Sequence, residues 1–339
     1  MKAKSFLSLV LLLIIVGALW FFLKKDDNRI DENSDIGTYL FSNLPVDLIA
    51  SVFIEDGNSS VTLVKKDDSW IVSEKEYNAD LDKMRSIVGE LRGAKIWKVI
   101  KATDELKSRL HLIDPSEASN DKKAVRLVAA KENGEAVIDM LIGSFRVNPK
   151  GGQDGRYIIK KGRSEVINID ASLLFIDALP QNWLNTKLID IKSNMIKKIS
   201  AFSINGAEIF SFERSEETGG FGPFPKDKEP LTRLAESLEN LTLIDVLSDS
   251  DISINFENYF NFELSDGAIC KVYPAAVDDK KLIKIEFFPN EFQEEETSDR
   301  TINVDELQKR FARRIFIVSP WVHEAFIINT EDLFEEEEL

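Results

Sequence analysis

One cysteine and two histidines in a chain of 339 residues leave little room for metal or thiol chemistry. The lone Cys270 cannot close an internal disulfide, so the fold must rest on its own core. Cys270 lies in AICKVY, an alternating apolar run, and reads as a buried strand thiol. A nucleophile would need a histidine partner and an electropositive niche. His111, in RLHLIDP, and His323, in PWVHEAF, stand far from each other, and the sequence holds no C-x-x-C. Zinc-ligand spacing is therefore missing, and each histidine is expected to pack at a helix end. No G-x-S-x-G occurs, which removes the hydrolase nucleophile elbow. Lys150 to Tyr157 is glycine-rich, but a strand pattern follows it where a phosphate-binding loop needs a helix, so it reads as a hairpin loop. Gly219 to Pro225 reads as a loop offering Phe221 and Phe224 to the core or to a partner. Ser248-Asp249-Ser250-Asp251 brings two carboxylates close together without the remaining ligands of a calcium loop. The expectation is no catalytic, no cofactor-binding and no metal-binding residues, and no cofactor.

Positive charge is also in short supply. Lys plus Arg number 43 against 59 Asp plus Glu, a net charge of −16. Nucleic-acid binding needs a basic patch, so nucleic acid is not an expected partner. The same balance disfavours lying flat on anionic lipid.

Long apolar runs are confined to one place. Ser5 to Leu23 reads SFLSLVLLLIIVGALWFFL without a charge. At about 1.5 Å rise per residue, such a helix spans roughly the 30 Å hydrocarbon core of a bilayer. The run passes through Trp20 straight into Lys24 and Lys25, without the small residues of a cleavage site, so it reads as an uncleaved anchor. Lysines flank it on both sides, and charge alone does not orient it. A large domain behind a short tail is the usual layout of a signal anchor, which places that domain outside the cytoplasm. The expected organisation is a tail at 1–4, a transmembrane anchor at 5–23 in contact with membrane lipid, and a polar linker at 24–39.

Beyond the linker the period becomes two. LIASVFIE, VTLVKK and SWIVS are strand candidates, with turns at Asp56-Gly57 and Asp67-Asp68. A helix follows, capped by Asn78 or Asp80, with Leu81, Met84, Val88 and Leu91 forming one stripe before Gly93 ends it. KIWKVIKAT is an extended piece, and DELKSRLHLIDP a helical turn stopped by Pro115. AVRLVAAK, EAVIDMLIGS, GRYIIKKG and EVINID alternate as strands, and ASLLFIDALP reads as a short helix. The order of elements then starts again. MIKKISAFSING follows the pattern of LIASVFIEDG, and AEIFSFER that of VTLVKK. Leu231, Leu234, Leu238 and Leu241 repeat the helical spacing. INVDELQKRFARRIFIVSPW echoes INIDASLLFIDALPQNW, with Trp321 matching Trp183. The fold class expected is α+β: antiparallel sheets with helices on one face, in two duplicated halves at 40–192 and 193–328, then an acidic tail at 329–339. The acidic runs Glu291 to Glu296 and Glu335 to Glu338 read as solvated segments.

The order of several motifs resembles the membrane-anchored bacterial family known as domain of unknown function 4340. The residues that carry the resemblance are Asp67 to Val72 (DDSWIV), Tyr77-Asn78-Ala79-Asp80 entering the helix, and Leu110 to Pro115 (LHLIDP). Leu141 to Ser144, RYIIKKG and LPQNWLNTKLIDI complete it. His111 stands where that family tends to have glycine. Some members are encoded with membrane components of gliding-motility-type ABC transporters. The resemblance therefore implies a non-catalytic accessory or scaffold subunit of an ABC-type transport system. It would sit in the inner membrane by one pass, with its soluble domain in the periplasm and transporter or envelope proteins as partners. Two other readings follow from the residues: an enzyme acting on an envelope polymer through carboxylates assembled by the fold, and a small-ligand carrier with a pocket between the halves.

Overall fold

A computed structural model describes residues 35–67, 69–117, 122–147, 153–215, 217, 219–222, 228–289 and 302–334. The anchor at 5–23, most of the linker and both acidic runs lie outside the described residues. Among the described residues no helix is long and apolar enough to cross a membrane.

The architecture is α+β and rich in sheet. In chain order come strands β1 (Ile49–Glu55), β2 (Ser60–Lys66), β3 (Ser69–Val72) and β4 (Tyr77–Asn78), then helix α1 (Leu81–Gly93), β5 (Ile96–Lys101) and α2 (Asp104–Arg109). Strands β6 (Val125–Lys131), β7 (Ala136–Val147), β8 (Gln153–Lys160), β9 (Glu165–Ile169) and β10 (Lys187–Ile189) follow. Next are β11 (Ile196–Ser203), β12 (Glu208–Arg214), β13 (Phe221–Gly222), α3 (Glu229–Glu236), β14 (Leu241–Thr242) and β15 (Asp245–Ser248). The chain closes with β16 (Asn258–Leu264), β17 (Ala268–Val277), β18 (Lys280–Pro289), α4 (Val304–Phe311), β19 (Arg314–Val318) and α5 (Pro320–Glu324). These elements fall into two compact units that interleave along the chain.

The first unit takes Val88–Ala124 and Asp139–Leu174, with the described residues up to Pro45. Its strands run in the order β7-β8-β9-β5, all antiparallel. Leu112, Ile159 and Val166 form its core cluster, with Ile100, Leu106 and Leu141 packed against them. Gly143 allows the closest approach: a Cβ there would overlap the Leu110 carbonyl oxygen and lie 2.7 Å from Leu112 Cγ. The Leu110 carbonyl instead accepts a hydrogen bond from Ser144 N at 2.8 Å. Strand β5 carries Lys98 and Lys101, charges of the kind that blunt an edge against further pairing.

The second unit takes Val46–Ile87, Val125–Ile138 and Phe175–Leu339. It holds the run β4-β3-β2-β1-β6, the short pair β10-β14, and an eight-stranded antiparallel sheet in the order β13-β12-β11-β16-β17-β18-β19-β15. Registers in the large sheet align Phe212, Ile199, Phe262, Cys270 and Phe287 in one row across β12, β11, β16, β17 and β18. All five are buried, as alternation on a one-sided sheet requires. The neighbouring row is Phe210, Ala201, Phe260, Val272 and Ile285, also buried. At about 25 cal/mol per Å² of apolar surface, each buried phenylalanine contributes on the order of 2–3 kcal/mol relative to leaving it exposed. Trp183 is held on three sides: its indole N–H donates to the Asp177 carbonyl at 2.9 Å, Lys83 Nζ sits 4.3 Å above the ring, and the Asp80 N–H donates to its own carbonyl.

Helix α1 begins as the pattern requires. Asp80 Oδ1 accepts from the amides of Asp82 and Lys83, both at 3.0 Å, and so caps it. Its buried face is turned slightly from the expected stripe. Ile87 and Leu91 are buried, Met84 and Val88 half-buried, and Leu81 exposed. Leu231, Leu234, Leu238 and Leu241 are all buried, but helix α3 ends at Glu236, so the last two are held by a turn and by β14. The segment Ala171–Pro180 is not the helix its apolar content suggests. Leu173 adopts φ +48°, and its amide donates to Glu90 Oε2 at 2.7 Å instead of entering a helical ladder. Pro180 then biases Leu179 toward extended backbone. Trp321 is 79 % exposed while Trp183 is 2 % exposed, so the two tryptophans aligned by pattern have opposite environments.

Candidate functional site

Within the second unit, β2, β3, β4, the end of α4 and the start of β19 line a cavity of about 660 Å³. Register decides which face each strand offers. Leu63, Val72 and Tyr77 pair across β2, β3 and β4 and are buried. The next row, Val64, Ile71 and Asn78, shares the opposite face and lines the cavity. A strand must alternate faces, so burying Leu63 forces Val64 outward. Val64 is 37 % exposed.

Tyr77 is the pillar of the site. Its ring meets Phe316 edge-on, with centroids 5.9 Å apart. Its hydroxyl accepts from Arg310 Nε at 3.3 Å. Burial pushes the Tyr77 hydroxyl pKa up, against the opposing pull of Arg310 and Arg314, so the phenol stays neutral. Arg314 donates from Nη2 to the Glu76 carbonyl at 2.7 Å and from Nη1 to the Arg310 carbonyl at 2.9 Å. Arg310 also donates from Nη2 to the Lys187 carbonyl. Both guanidinium groups are thus positioned by neutral acceptors, which fix geometry without cancelling charge.

The cavity lining includes Lys65, Lys66, Lys309, Arg310 and Arg314 against one carboxylate, Glu76. Among the described residues none of these five cations forms an ion pair. On a chain of net charge −16 this is a local inversion of sign. Like charges this close repel, and an anion placed among them relieves the repulsion. Arg310 also borders a second depression, whose lining includes Asp80, Asp82, Asp190 and Glu306 together with Lys187; there Asp190 pairs with Lys187 and Lys192, and Asp82 with Arg85. The cleft can hold an anion; its neutral phenol and lone carboxylate do not make a nucleophile–base pair.

The residues singled out from sequence lie elsewhere. Cys270 is fully buried at the middle of the phenylalanine row, and burial pushes its thiol pKa far up, so it is inert packing. His323 is buried within α5, hydrogen-bonded to the Ala275 backbone, and its Nε2 has no partner among the described residues. His111 is exposed just past α2 at φ +54°, so it does not pack at the helix end as expected. Of the glycine-rich 150–157 segment, residues 153–157 belong to strand β8, which pairs antiparallel with β7, and residues 150–152 lie outside the described residues. Phe221 and Gly222 form β13 on the edge of β12, where Arg214 lies 4.3 Å over the Phe221 ring; Phe224 lies outside the described residues. Among the described residues no group of three or more His, Cys, Asp or Glu is placed to hold a metal. The basic cleft has no motif in the sequence. Its signals were the doublet Lys65-Lys66 at a strand end and the run KRFARR from Lys309 to Arg314, dense positive charge in an acidic chain.

The family model described as Domain of unknown function (DUF4340) matches residues 70–259, more than half of the chain, and the protein belongs to that family. No curated protein and no solved structure matches it.

Proposed function

We propose that this protein is a non-catalytic accessory or scaffold subunit, tethered to the bacterial inner membrane by residues 5–23 and working beside an ABC-type transport system. In this reading the two pattern halves face the periplasm, and the cleft beside Tyr77 is where an anionic partner is held. The observation that carries it is the set of five unneutralised cations in one cleft of an acidic chain. An anionic ligand placed among them would relieve their mutual repulsion. Two of the five are pre-positioned by backbone carbonyls, which lowers the ordering cost of binding.

Affinity capture of the full chain from detergent-solubilised membranes tests the reading. Transporter or envelope components should be recovered with the wild type and lost with Lys65→Glu/Lys66→Glu. Recovery of no such component would sink it. The carrier reading has one observation in its favour, a cavity within the ~300–1,000 Å³ range usual for small-molecule sites. A thermal shift produced by a small anionic metabolite, abolished by the same double variant, would favour the carrier over the scaffold.

A further inference from the structure

We infer that the cleft beside Tyr77 receives an extended acidic peptide segment of a protein partner, with carboxylates meeting the cations and an apolar side chain covering Val64 and Ile71. This rests on reading the cleft as the binding site of an accessory protein, and names the chemistry of what it binds.

The cations are distributed, not convergent. Lys65 and Lys66 come from β2, Lys309 and Arg310 from the end of α4, and Arg314 from the start of β19. A single phosphate is best held where backbone amides converge, as at a helix N-terminus. Helix α4 offers the opposite end: Lys309 and Arg310 lie in its last turn, where the free groups are carbonyls. Charge in the cleft is therefore supplied by side chains spread over three elements, which matches a ligand bearing several separated anionic groups.

The apolar floor narrows the ligand class. Val64 and Ile71 sit side by side on neighbouring strands and face the cleft. A purely hydrophilic polyanion gains nothing from them, whereas a peptide can alternate acidic and apolar side chains. Arg310 Nη1 and Arg314 Nε donate to no acceptor among the described residues, which leaves N–H groups that a carboxylate could accept from.

Strand addition to β4 is not the mode of capture. Outward carbonyls there are already used, Glu76 by Arg314 and Asn78 by the Asn185 amide at 2.8 Å. Recognition must run through side chains.

The test is fluorescence anisotropy with the full chain in detergent and a labelled peptide alternating Glu and Leu. A second peptide alternates Glu and Ser, and inorganic polyphosphate serves as competitor. The Glu–Leu peptide should bind tightest, weaken with added salt, and lose about tenfold or more in affinity to Lys65→Glu/Lys66→Glu, whose exposed side chains leave the core untouched. Val64→Ser should weaken the Glu–Leu peptide and leave the Glu–Ser peptide unchanged. Equal affinity for all three probes would replace the peptide with a generic polyanion and overturn the inference. So would binding that survives charge reversal. Cleft-dependent capture of membrane partners without any peptide binding would retire the peptide class and leave the accessory role standing. Peptide binding without capture of any envelope component would do the reverse.

Discussion

Arg310 reaches the Tyr77 hydroxyl with its Nε, 3.3 Å away, across 233 positions of sequence. One end of this contact is a buried phenol whose ring packs on Phe316, and the other is a cation on the rim of the cleft. The rim is thereby tied to the core, and the tie can be cut by one atom.

Tyr77→Phe removes the hydroxyl and keeps the ring on Phe316. The expected loss is about 1 kcal/mol, the net worth of an ordinary hydrogen bond, because Arg310 keeps its backbone acceptor at Lys187. Denaturant unfolding measures the loss. The variant should also bind the Glu–Leu peptide more weakly, since Arg310 gains rotamer freedom. A loss of several kcal/mol would mean that the phenol holds more than this arginine.

Two glycines should respond to alanine with opposite signs. Gly143→Ala drives a methyl group into the Leu110 carbonyl and Leu112, and the obstacle includes backbone, which cannot swing aside. The expected cost is about 1–3 kcal/mol, the range for overpacking. Gly89 lies inside α1 with nothing within 4 Å of its would-be Cβ. Gly89→Ala should stabilise by about 0.5–1 kcal/mol, through helix propensity and a less free unfolded chain. Parallel urea titrations decide both signs.

Much of the fold was legible because alternation is a local signal. Strands β1, β2, β3, β6, β8, β9 and β12 fall within a residue or two of their apolar–polar patterns, and Asp80 caps α1 as an Asx residue there should. What was not legible depended on distant partners. Leu173 leaves the helical region for a bond to Glu90, 83 positions earlier. Leu238 and Leu241 hold helical spacing, yet their burial is completed by a turn and a strand. The cleft was hidden for the same reason: Lys65-Lys66 and KRFARR are ordinary surface charge until the fold sets them around one cavity. Pattern also overreached at Trp321, since spacing says nothing about what covers a residue.

His323 makes stability depend on pH. It is buried, and desolvation is the largest influence lowering its pKa from 6.5; the Ala275 backbone bond and Glu324 pull upward, and Lys281 pulls downward. A lowered folded pKa means that the unfolded chain binds the proton more readily. This contribution is therefore intact above about 6.5 and is lost as pH falls through the folded value. His323→Gln should flatten that part of the stability–pH curve while leaving the acid limb set by carboxylates. Unfolding free energies across the mildly acidic range, wild type against variant, measure it. Parallel curves would show that the imidazole does not titrate on unfolding.

Glu90 replaces a helix that the sequence suggested. Its Oε2 accepts from the Leu173 amide at 2.7 Å and from Ser172 Oγ at 3.4 Å. Leu173 is fully buried at φ +48°, so its N–H has neither water nor a helical carbonyl to turn to if the carboxylate goes. Glu90→Ala leaves that donor orphaned, at an expected cost of about 1–3 kcal/mol. Glu90→Gln keeps an acceptor oxygen at the same reach and should recover most of the loss. A purely electrostatic role would instead make the two variants equally damaging. Hydrogen exchange gives the local readout, because the Leu173 amide should lose protection in Glu90→Ala and keep it in Glu90→Gln. If Glu90→Ala unfolds like the wild type and protects that amide, the turn is held by leucine burial alone, and the carboxylate follows the turn rather than setting it.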